Sequence, residues 1–324
     1  MPSAGFPGGS ILVVGGTHGN ERNAPWLLQQ WRTNPAELNN HGLALKLVLG
    51  NPEAFQAGRR YIERDLNRCF EPSLLADTTQ QQHEMVRARE LLQRHGPDAA
   101  EPSLVALDLH STTAAMGNSL VVYGRRPADL ALAAALQQRL GLPIYLHEAD
   151  AAQRGFLVER WACGLVIEVG PVPQGVLDAA ICRQTQIAVE CAFGVVAAAA
   201  SGSLRLPAQL VVHRHLCSVD VPRDQDGTPR YLLHPQLQGH DWRPLQLRDP
   251  VFCNTKGDTV SLLAVLNDSR KNQPAYWPVF IGEASYGEKG IAFSLTNREI
   301  WPVSEAWRDA LIALAQRLQR GAPL

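Results

Sequence analysis

The chain has 324 residues, enough for one large domain or two ordinary ones, and its 45% hydrophobic content can form a sizeable core. A formal net charge of −1 provides no overall attraction for nucleic acid or an anionic membrane. The N-terminus lacks the basic and long apolar segments of a secretory signal, and the apolar run Ile187–Ala200 is too short to span a bilayer. We therefore expect a cytoplasmic protein that binds neither nucleic acid nor membrane.

The N-terminal part of the chain alternates short apolar runs with helical patterns. Several of these runs are apolar throughout, which is typical of strands covered on both faces. The alternation predicts an α/β domain with a mixed or mostly parallel sheet. The predicted strands are Ile11–Val14, Leu43–Leu49, Leu104–Leu107, Leu120–Tyr123 and Leu165–Val169, and the predicted helices are Pro25–Thr33, Gln80–Gln93, Ala128–Leu140 and Leu177–Ala200.

The pattern changes after the Ser-Gly-Ser segment at residues 201–203, which we interpret as a linker. Pro and Gly then separate β-like runs, and Asp226-Gly227 and Lys256-Gly257-Asp258 are typical turns. We predict a catalytic domain at residues 1–202 and a smaller, mainly β domain at 203–324. The C-terminal elements are predicted at Leu210–Val219, Tyr231–Leu233 and Val260–Val265, with a final helix at Ser304–Arg320.

The cysteines give no sign of a metal ribbon or a redox motif. No two of them have Cys-x-x-Cys spacing, and the chain has no export signal. We therefore expect reduced thiols in the core. They stand at positions 69, 163, 182, 191, 217 and 253.

Three predicted strands end in polar residues that could share a site. The first is followed by GGTHGNE with His18 and Glu21, the third by DLHSTT with His110, and the fifth carries Glu168. Ligands of open α/β sheets bind at the carboxyl ends of strands, so these side chains could converge.

Two imidazoles and a carboxylate are a standard ligand set for catalytic zinc, with water in the open position. His18 and Glu21 share one glycine-rich turn, and His110 comes from a separate strand end. Asp108 could form a hydrogen bond to one of the ligands from behind. A His-x-x-Glu pair alone also occurs on solvated surfaces, so only the combination indicates a metal.

Two further segments could contact a substrate. RRYIERDLNRCF, at residues 59–70, concentrates arginines, and is either a solvated loop with weak ion pairs or a cradle for a carboxylate. One of its arginines could also stabilise charge on a carbonyl oxygen. GEASYGEKG, at residues 282–290, places Tyr286 among glycines, a pattern that by itself is more typical of loop packing.

Six sequence blocks resemble the aspartoacylase branch of the aspartoacylase/succinylglutamate desuccinylase family. They lie in the expected order between Gly15 and Gly290 and thus cover nearly the whole chain. The resemblance implies a zinc-carboxypeptidase-like mixed sheet flanked by helices and a smaller β-rich C-terminal domain. The blocks are GGTHGNE, NPEA, RYIERDLNR, DLHSTT, IEVGPVPQGVL and GEASYGEKG.

The resemblance also implies roles for individual residues. His18, Glu21 and His110 match the ligands of one Zn²⁺ per subunit, and Glu168 matches the general base. Arg60 matches the arginine that holds the scissile carbonyl. Asn67 and Arg68 match the pair that binds the substrate carboxylate, and Tyr286 matches the substrate-binding tyrosine.

One family residue has no clean match. Aspartoacylases carry an arginine, upstream of the glutamate strand, that binds the side-chain carboxylate of aspartate. The chain offers Arg154 or Arg160, and the neighbouring Gly155 favours Arg154 because it suggests a loop. Ser111 also stands where the vertebrate members' motif has asparagine.

The implied activity is hydrolysis of an N-acyl amino acid, with N-acetyl-L-aspartate as the type substrate. Succinylglutamate and N-acyl aromatic amino acids are alternatives within the same chemistry. A carboxypeptidase and a non-enzymatic zinc-stabilised binding protein are more distant ones, although structural zinc sites usually have four ligands rich in cysteine. The sequence leaves a homo-oligomer open.

Overall fold

The structure is a computed structural model that describes residues 9–148 and 153–319. Strands and helices are interspersed along the chain as far as Ala200, and the part that follows consists mainly of strands and turns. The strands are β1 (Ser10–Gly15), β2 (Leu45–Leu49), β3 (Ser103–Ser111), β4 (Gly117–Tyr123), β5 (Ile144–His147), β6 (Cys163–Gly170), β7 (Gln209–Asp220), β8 (Leu232–Leu233), β9 (Pro250–Cys253), β10 (Thr259–Ser261), β11 (Trp277–Val279) and β12 (Ile291–Pro302). The α-helices are α1 (Asn23–Thr33), α2 (Pro52–Ala57), α3 (Pro72–Ala76), α4 (His83–His95), α5 (Pro127–Leu140), α6 (Ala179–Ala200), α7 (Leu262–Val265), α8 (Ala284–Gly287) and α9 (Glu305–Gln319).

A single nine-stranded sheet forms the centre of the molecule, in the order β11-β12-β7-β5-β4-β6-β3-β1-β2. The strands β2, β1, β3 and β6 run parallel, β4 is antiparallel to β6, and β5 and β7 follow β4 in parallel. β12 is antiparallel to β7, and the edge strand β11 is antiparallel to β12. The predicted α/β fold with a mixed sheet flanked by helices is therefore confirmed.

Both faces of the central strands β1, β3 and β6 are buried, as their uninterrupted apolar runs predicted. In β1, Ile11 and Val13 pack with the layer formed by α1, α5, α6 and α9. The alternate residues Leu12 and Val14 face a second core, which includes Met85 of α4. The second core lies under the loops that follow the strands, so the polar groups of those loops rest on a rigid apolar base.

The C-terminal segment adds a three-stranded sheet, β10-β9-β8, with its own apolar cluster around Phe252. Two other strands of the C-terminal segment, β7 and β12, belong to the central sheet, since β7 pairs with β5 and β12 pairs with β7. The predicted boundary at residue 202 thus falls in a turn between two parts that share one sheet, and the division into domains stays a prediction.

Most predicted elements are confirmed within a few residues, and one is wrong. Residues 260–265 do not form one strand: β10 ends at Ser261 and α7 begins at Leu262. The reason is burial, because Leu262 and Leu266 are both buried and stand four residues apart, which is helical spacing. The sequence predictions also omitted β5, β9, β11 and β12. Arg320, the last residue of the predicted final helix, lies outside the described residues.

All six cysteines fall within the described ranges and are free. The predicted core location holds for four of them, since Cys191 and Cys253 are only partly buried. Among the helices of those ranges, none is long and apolar enough to cross a membrane.

Candidate active site

The turn after β1 carries two of the candidate metal ligands. Gly16 has a φ of +73°, which a residue with a side chain adopts only with strain. Gly19 contacts the backbone of α2 so closely that a Cβ there would lie 2.1 Å from the carbonyl carbon of Ala54. These two glycines allow a tight turn, and the turn places His18 and Glu21 over the end of the sheet.

The other two candidate residues come from neighbouring strands. In the parallel pairing of β3 with β6, His110 lies directly opposite Glu168. Both side chains therefore emerge at the same height, at the carboxyl ends of their strands. Only the pairing of the strands brings together residues that are far apart in the chain.

Glu21 lies between the two histidines. Its Oε1 is 2.6 Å from His18 Nδ1, and its Oε2 is 3.1 Å from His110 Nδ1. One potential ligand atom from each of the three residues lies within 4.8 Å of the others, and all three side chains are buried. We refer to these three residues, His18, Glu21 and His110, as the metal cluster. The backbone N–H of Ser111 also donates to Glu21 Oε2 at 3.0 Å, which fixes the carboxylate.

The Nε2 atom of each histidine lies within hydrogen-bond distance of a carboxylate oxygen. His18 Nε2 is 3.0 Å from Asp65 Oδ1, and His110 Nε2 is 2.8 Å from Asp108 Oδ2. Thr17 donates its hydroxyl to the other oxygen of Asp108 at 2.6 Å. When the Nε2–H groups donate to these carboxylates, both Nδ1 atoms are left for a metal, which is the usual arrangement behind metal-binding histidines.

The electrostatics of this cluster suit a divalent cation. Burial opposes the charged form of His110, yet Asp108 and Glu21 outweigh burial and raise its pKa well above the usual value. Burial likewise opposes the charge of Glu21, but attraction to His110 and His18 lowers its pKa. The carboxylates therefore favour positive charge at the centre, and the two nitrogens and one oxygen that converge there fit a catalytic zinc donor set.

Glu168 is 8% exposed and faces the same pocket. Burial raises its pKa well above the usual value, and repulsion from Glu21 and Glu283 adds to the effect, while His110 opposes it. A carboxyl group of raised pKa beside a metal cluster can both accept and return a proton near neutral pH.

The arginine-rich segment forms one wall of the pocket. Arg60 Nη2 is 3.2 Å from Asp65 Oδ2 and 2.8 Å from His18 Nε2, so its guanidinium adjoins the metal cluster. Arg68 stacks on the ring of Phe156, with its Cζ 4.2 Å from the ring centroid. The side-chain oxygen of Asn67 accepts from the backbone N–H of Leu157 at 2.8 Å, which ties the two loops together.

The C-terminal segment contributes the opposite wall through Tyr286, Glu283 and Lys289. Burial raises the pKa of Tyr286 to about 12, so its phenol is neutral and can donate a hydrogen bond. Glu283 accepts from the backbone and the hydroxyl of Thr113, at 2.8 and 2.9 Å, and thereby attaches this segment to the end of β3.

The structure brings together all the predicted site residues except those proposed to bind a side-chain carboxylate. Arg154 is exposed and lines a neighbouring cavity, while Arg160 is partly buried in a 3₁₀ turn, and neither lines the described part of the catalytic pocket. The proposed role of Arg154 therefore stays a prediction.

Another part of the pocket lining is mainly aromatic. Tyr123 stacks on Phe156 with ring centroids 3.7 Å apart, and the rings of Tyr145 and Phe280 are 5.7 Å apart. His147 completes this wall, with its ring 5.4 Å from that of Phe156.

Sequence reasoning assigned no role to this aromatic wall, Glu283 or Lys289. Lys289 carried a signal, because it stands three residues after Tyr286 in the same glycine-rich loop. The aromatic residues carried none, since strand side chains such as Tyr123 and Tyr145 are equally typical of an apolar core.

Two family models match the chain. The succinylglutamate desuccinylase/aspartoacylase catalytic domain matches residues 7–192, and the AstE/AspA barrel-sandwich hybrid domain matches residues 208–298. The fold and the site thus define a hydrolase of the deacylase class. The chain belongs to the succinylglutamate desuccinylase/aspartoacylase family.

The chain is also similar to individual proteins. It is 61% identical over 301 residues to a "probable aspartoacylase" of Parasynechococcus marenigrum, an alignment covering 93% of this chain and 97% of that protein. A "probable aspartoacylase" of Prochlorococcus marinus strain MIT 9313 is 52% identical, with 93% and 96% covered.

Solved structures show the same fold. Murine aminoacylase 3 has a TM-score of 0.79 at 34% identity, with 92% of this chain and 97% of that one covered. A succinylglutamate desuccinylase from Chromobacterium violaceum has a TM-score of 0.61 at 18% identity, with 91% and 86% covered, and supports the fold alone.

Proposed function

We propose that the protein is a zinc-dependent amidohydrolase that cleaves N-acyl-L-aspartate, with N-acetyl-L-aspartate as the type substrate, to L-aspartate and a carboxylate. The observation that carries the proposal is the juxtaposition of Glu168 with the buried cluster of His18, Glu21 and His110. A proton acceptor beside a three-ligand site is the arrangement of metal-assisted hydrolysis. A structural zinc site usually has four protein ligands and needs no proton acceptor.

His18, Glu21 and His110 would hold one Zn²⁺ per subunit. Bound zinc lowers the pKa of a coordinated water to about 7 and polarises a carbonyl group. Asp65 and Asp108 orient the two imidazoles from behind. The same residues could accept another divalent ion, since metal choice also depends on supply.

Glu168 takes a proton from the attacking water and later returns it to the leaving amine. Its raised pKa suits this exchange, because the protonated form is not too acidic to persist until the amine needs it. The Arg60 guanidinium stabilises negative charge on the carbonyl oxygen. Asp65 holds Arg60 in the pocket at 3.2 Å, so the guanidinium needs no reorientation during the reaction.

Asn67, Arg68 and Tyr286 bind the α-carboxylate of the substrate and thereby hold the scissile amide in one position. Stacking on Phe156 fixes the plane of the Arg68 guanidinium, which favours bidentate binding of a carboxylate. For an acidic side chain, Lys289 supplies a second cation within the pocket, whereas Arg154 would have to move to reach it.

A second candidate is an N-acyl aromatic amino acid. The aromatic wall of Tyr123, Tyr145, His147, Phe156 and Phe280 favours this candidate, because such a surface binds a ring better than a carboxylate.

The test has two parts. Glu168→Gln should retain zinc and lose most turnover, and near-native activity in this variant would exclude the proposed base. Assays of N-acetylaspartate, N-succinylglutamate and N-acetylphenylalanine side by side should give the highest kcat/KM for N-acetylaspartate. A preference for the phenylalanine derivative selects the second candidate, and zinc binding without hydrolysis of any of the three refutes the proposal.

A further inference from the structure

A buried carboxylate outside the pocket lies at the junction of the loops that build it. Glu84 belongs to the first turn of α4 and is fully buried. It is not a metal ligand, and it does not line the catalytic pocket. An acidic side chain is rarely buried without a specific set of partners, so its contacts need a reason.

The carboxylate of Glu84 accepts four hydrogen bonds from neutral donors. Its Oε1 accepts from Ile62 N at 2.6 Å and from Asn51 Nδ2 at 3.0 Å. Its Oε2 accepts from Glu63 N at 3.1 Å and from Arg64 N at 3.0 Å. Three consecutive backbone N–H groups of an irregular loop thus point at one carboxylate. These donors outweigh burial and lower the pKa of Glu84, which is ionised at neutral pH.

The three bound amides lie between two residues that adjoin the metal cluster. Arg60 precedes them and Asp65 follows them, and both contact His18. The segment has no helical or strand hydrogen bonds of its own until the 3₁₀ turn at Leu66–Arg68. Its shape is therefore set mainly by what its N–H groups contact.

The fourth donor connects Glu84 to the turn that carries the metal ligands. Asn51, which is fully buried, donates its backbone N–H to Gly16 O at 2.9 Å. The same turn is tied to the arginine segment directly, because Gly19 N donates to Arg60 O at 3.1 Å. Glu84 thus fixes two loops that must keep one relative position for Arg60 to face the metal cluster.

We propose that Glu84 is a positioning residue for the deacylase reaction: its carboxylate holds residues 62–64 so that Arg60 and Asp65 stay aligned with His18. The inference rests on the proposed function for its catalytic consequence. A merely structural role for Glu84 would change stability and leave the contribution of Arg60 intact.

The main test is Glu84→Gln, which keeps the size of the side chain. The amide presents an NH₂ group to backbone N–H donors in place of an acceptor oxygen, so part of the loop loses its partner. We expect kcat/KM for the preferred substrate to fall about 10- to 100-fold through kcat, as small misplacements of catalytic groups do. Zinc content should stay at the native level. The matched control is Glu90→Gln on the same helix, where the partly exposed Glu90 pairs with Arg87 and Arg94.

A double-mutant cycle with Arg60→Ala separates positioning from stability. If Glu84 acts through Arg60, Glu84→Gln causes little further loss of kcat/KM in the Arg60→Ala background. An equal loss in both backgrounds, or a Glu84→Gln variant within about twofold of the native kcat/KM, overturns the inference. Should Glu84→Gln fail to fold, Glu84→Asp keeps the charge with a shorter reach and should show the same dependence on Arg60.

Amide hydrogen exchange provides a readout independent of activity. The N–H groups of Ile62, Glu63 and Arg64 should be protected in the native protein and lose protection in Glu84→Gln, but not in Glu90→Gln. If the native protein hydrolyses no N-acyl amino acid, the proposed function fails while exchange still tests the loop contacts. If the native protein is active and the exchange is unchanged in Glu84→Gln, the positioning inference fails alone.

Discussion

Gly19 lies directly against the backbone of Ala54, so closely that a Cβ on Gly19 would be 2.1 Å from the Ala54 carbonyl carbon. Backbone cannot retreat as the end of a flexible side chain can, so this contact requires glycine. A change at Gly19 would also displace the metal cluster, because Gly19 stands next to His18 and two residues before Glu21.

Gly19→Ala should therefore displace the turn and weaken zinc binding. We expect the free energy of unfolding to fall by about 1–3 kcal/mol, the usual cost of forcing atoms into a packed site. Zinc titration and urea unfolding measure the two effects.

The matched control is Gly194→Ala in the middle of α6. A Cβ there would meet the ends of two flexible side chains, His41 at 3.2 Å and Arg139 at 3.5 Å, which can move. This variant should bind zinc normally and gain up to about 1 kcal/mol from helix propensity. Native zinc affinity in Gly19→Ala would contradict the role of the contact.

Asp108→Asn tests the carboxylate behind His110. The amide keeps the shape of the side chain but removes the charge that stabilises a metal-bound imidazole, so we expect zinc affinity to fall about 10- to 100-fold. Competition with a fluorescent chelator measures it. The comparison is Asp129→Asn, another buried carboxylate, which accepts from Gly164 N and pairs with Arg126. Equal zinc affinities in the two variants would refute the prediction.

The pH dependence of substrate binding should reflect Lys289. Partial burial and the neighbouring Arg68 lower the pKa of Lys289 from 10.5 to about 8. A lowered amine pKa means that the cation is present below about pH 8 and lost above it. KM for N-acetylaspartate should therefore rise about tenfold between pH 7 and pH 9.5, as expected when a charged hydrogen-bond partner is lost.

Lys289→Arg is the control for this titration, because a guanidinium stays charged throughout the range. The KM of this variant should be flat where that of the native enzyme rises. A parallel rise in both proteins would assign the titration to another group.

Phe280→Ala tests whether the aromatic wall sets specificity. Phe280 lines the pocket with a φ of +54°, a strained conformation for a bulky residue, and its ring lies 5.7 Å from that of Tyr286. Removal of the ring should lower kcat/KM for N-acetylphenylalanine about tenfold relative to N-acetylaspartate, because the lost contact surface serves a ring more than a carboxylate.

Phe252→Ala provides the matched truncation. Phe252 is fully buried in the small C-terminal sheet, 6.0 Å from the ring of Phe293. Both variants should lose about 3–5 kcal/mol of stability, the usual cost for a buried phenylalanine. Only Phe280→Ala should alter the ratio of the two kcat/KM values, and the same shift in Phe252→Ala would disprove the role of the wall.

The sequence by itself determined the alternation of strands and helices and the residue types at the strand ends. The uninterrupted apolar runs around Val13 and Val166 require burial on both faces, and the glycines beside His18 require a tight turn. These are local properties, because side-chain polarity and backbone freedom act within a few residues. Short apolar runs fit either a strand or a helix. Residues 262–265 form a helix, and Leu262 and Leu266 are both buried.

Only the tertiary structure decided which distant residues meet. The register of β3 with β6 sets His110 beside Glu168, and the joining of β7 to β5 makes one sheet of two segments. The tertiary structure also places Arg154 outside the described part of the pocket, although its neighbour Gly155 correctly indicated a loop. Register and packing depend on the sum of many weak contacts between distant segments, and no local pattern records that sum. The candidate metal ligands could therefore be listed from the sequence, whereas the aromatic wall of the pocket could not.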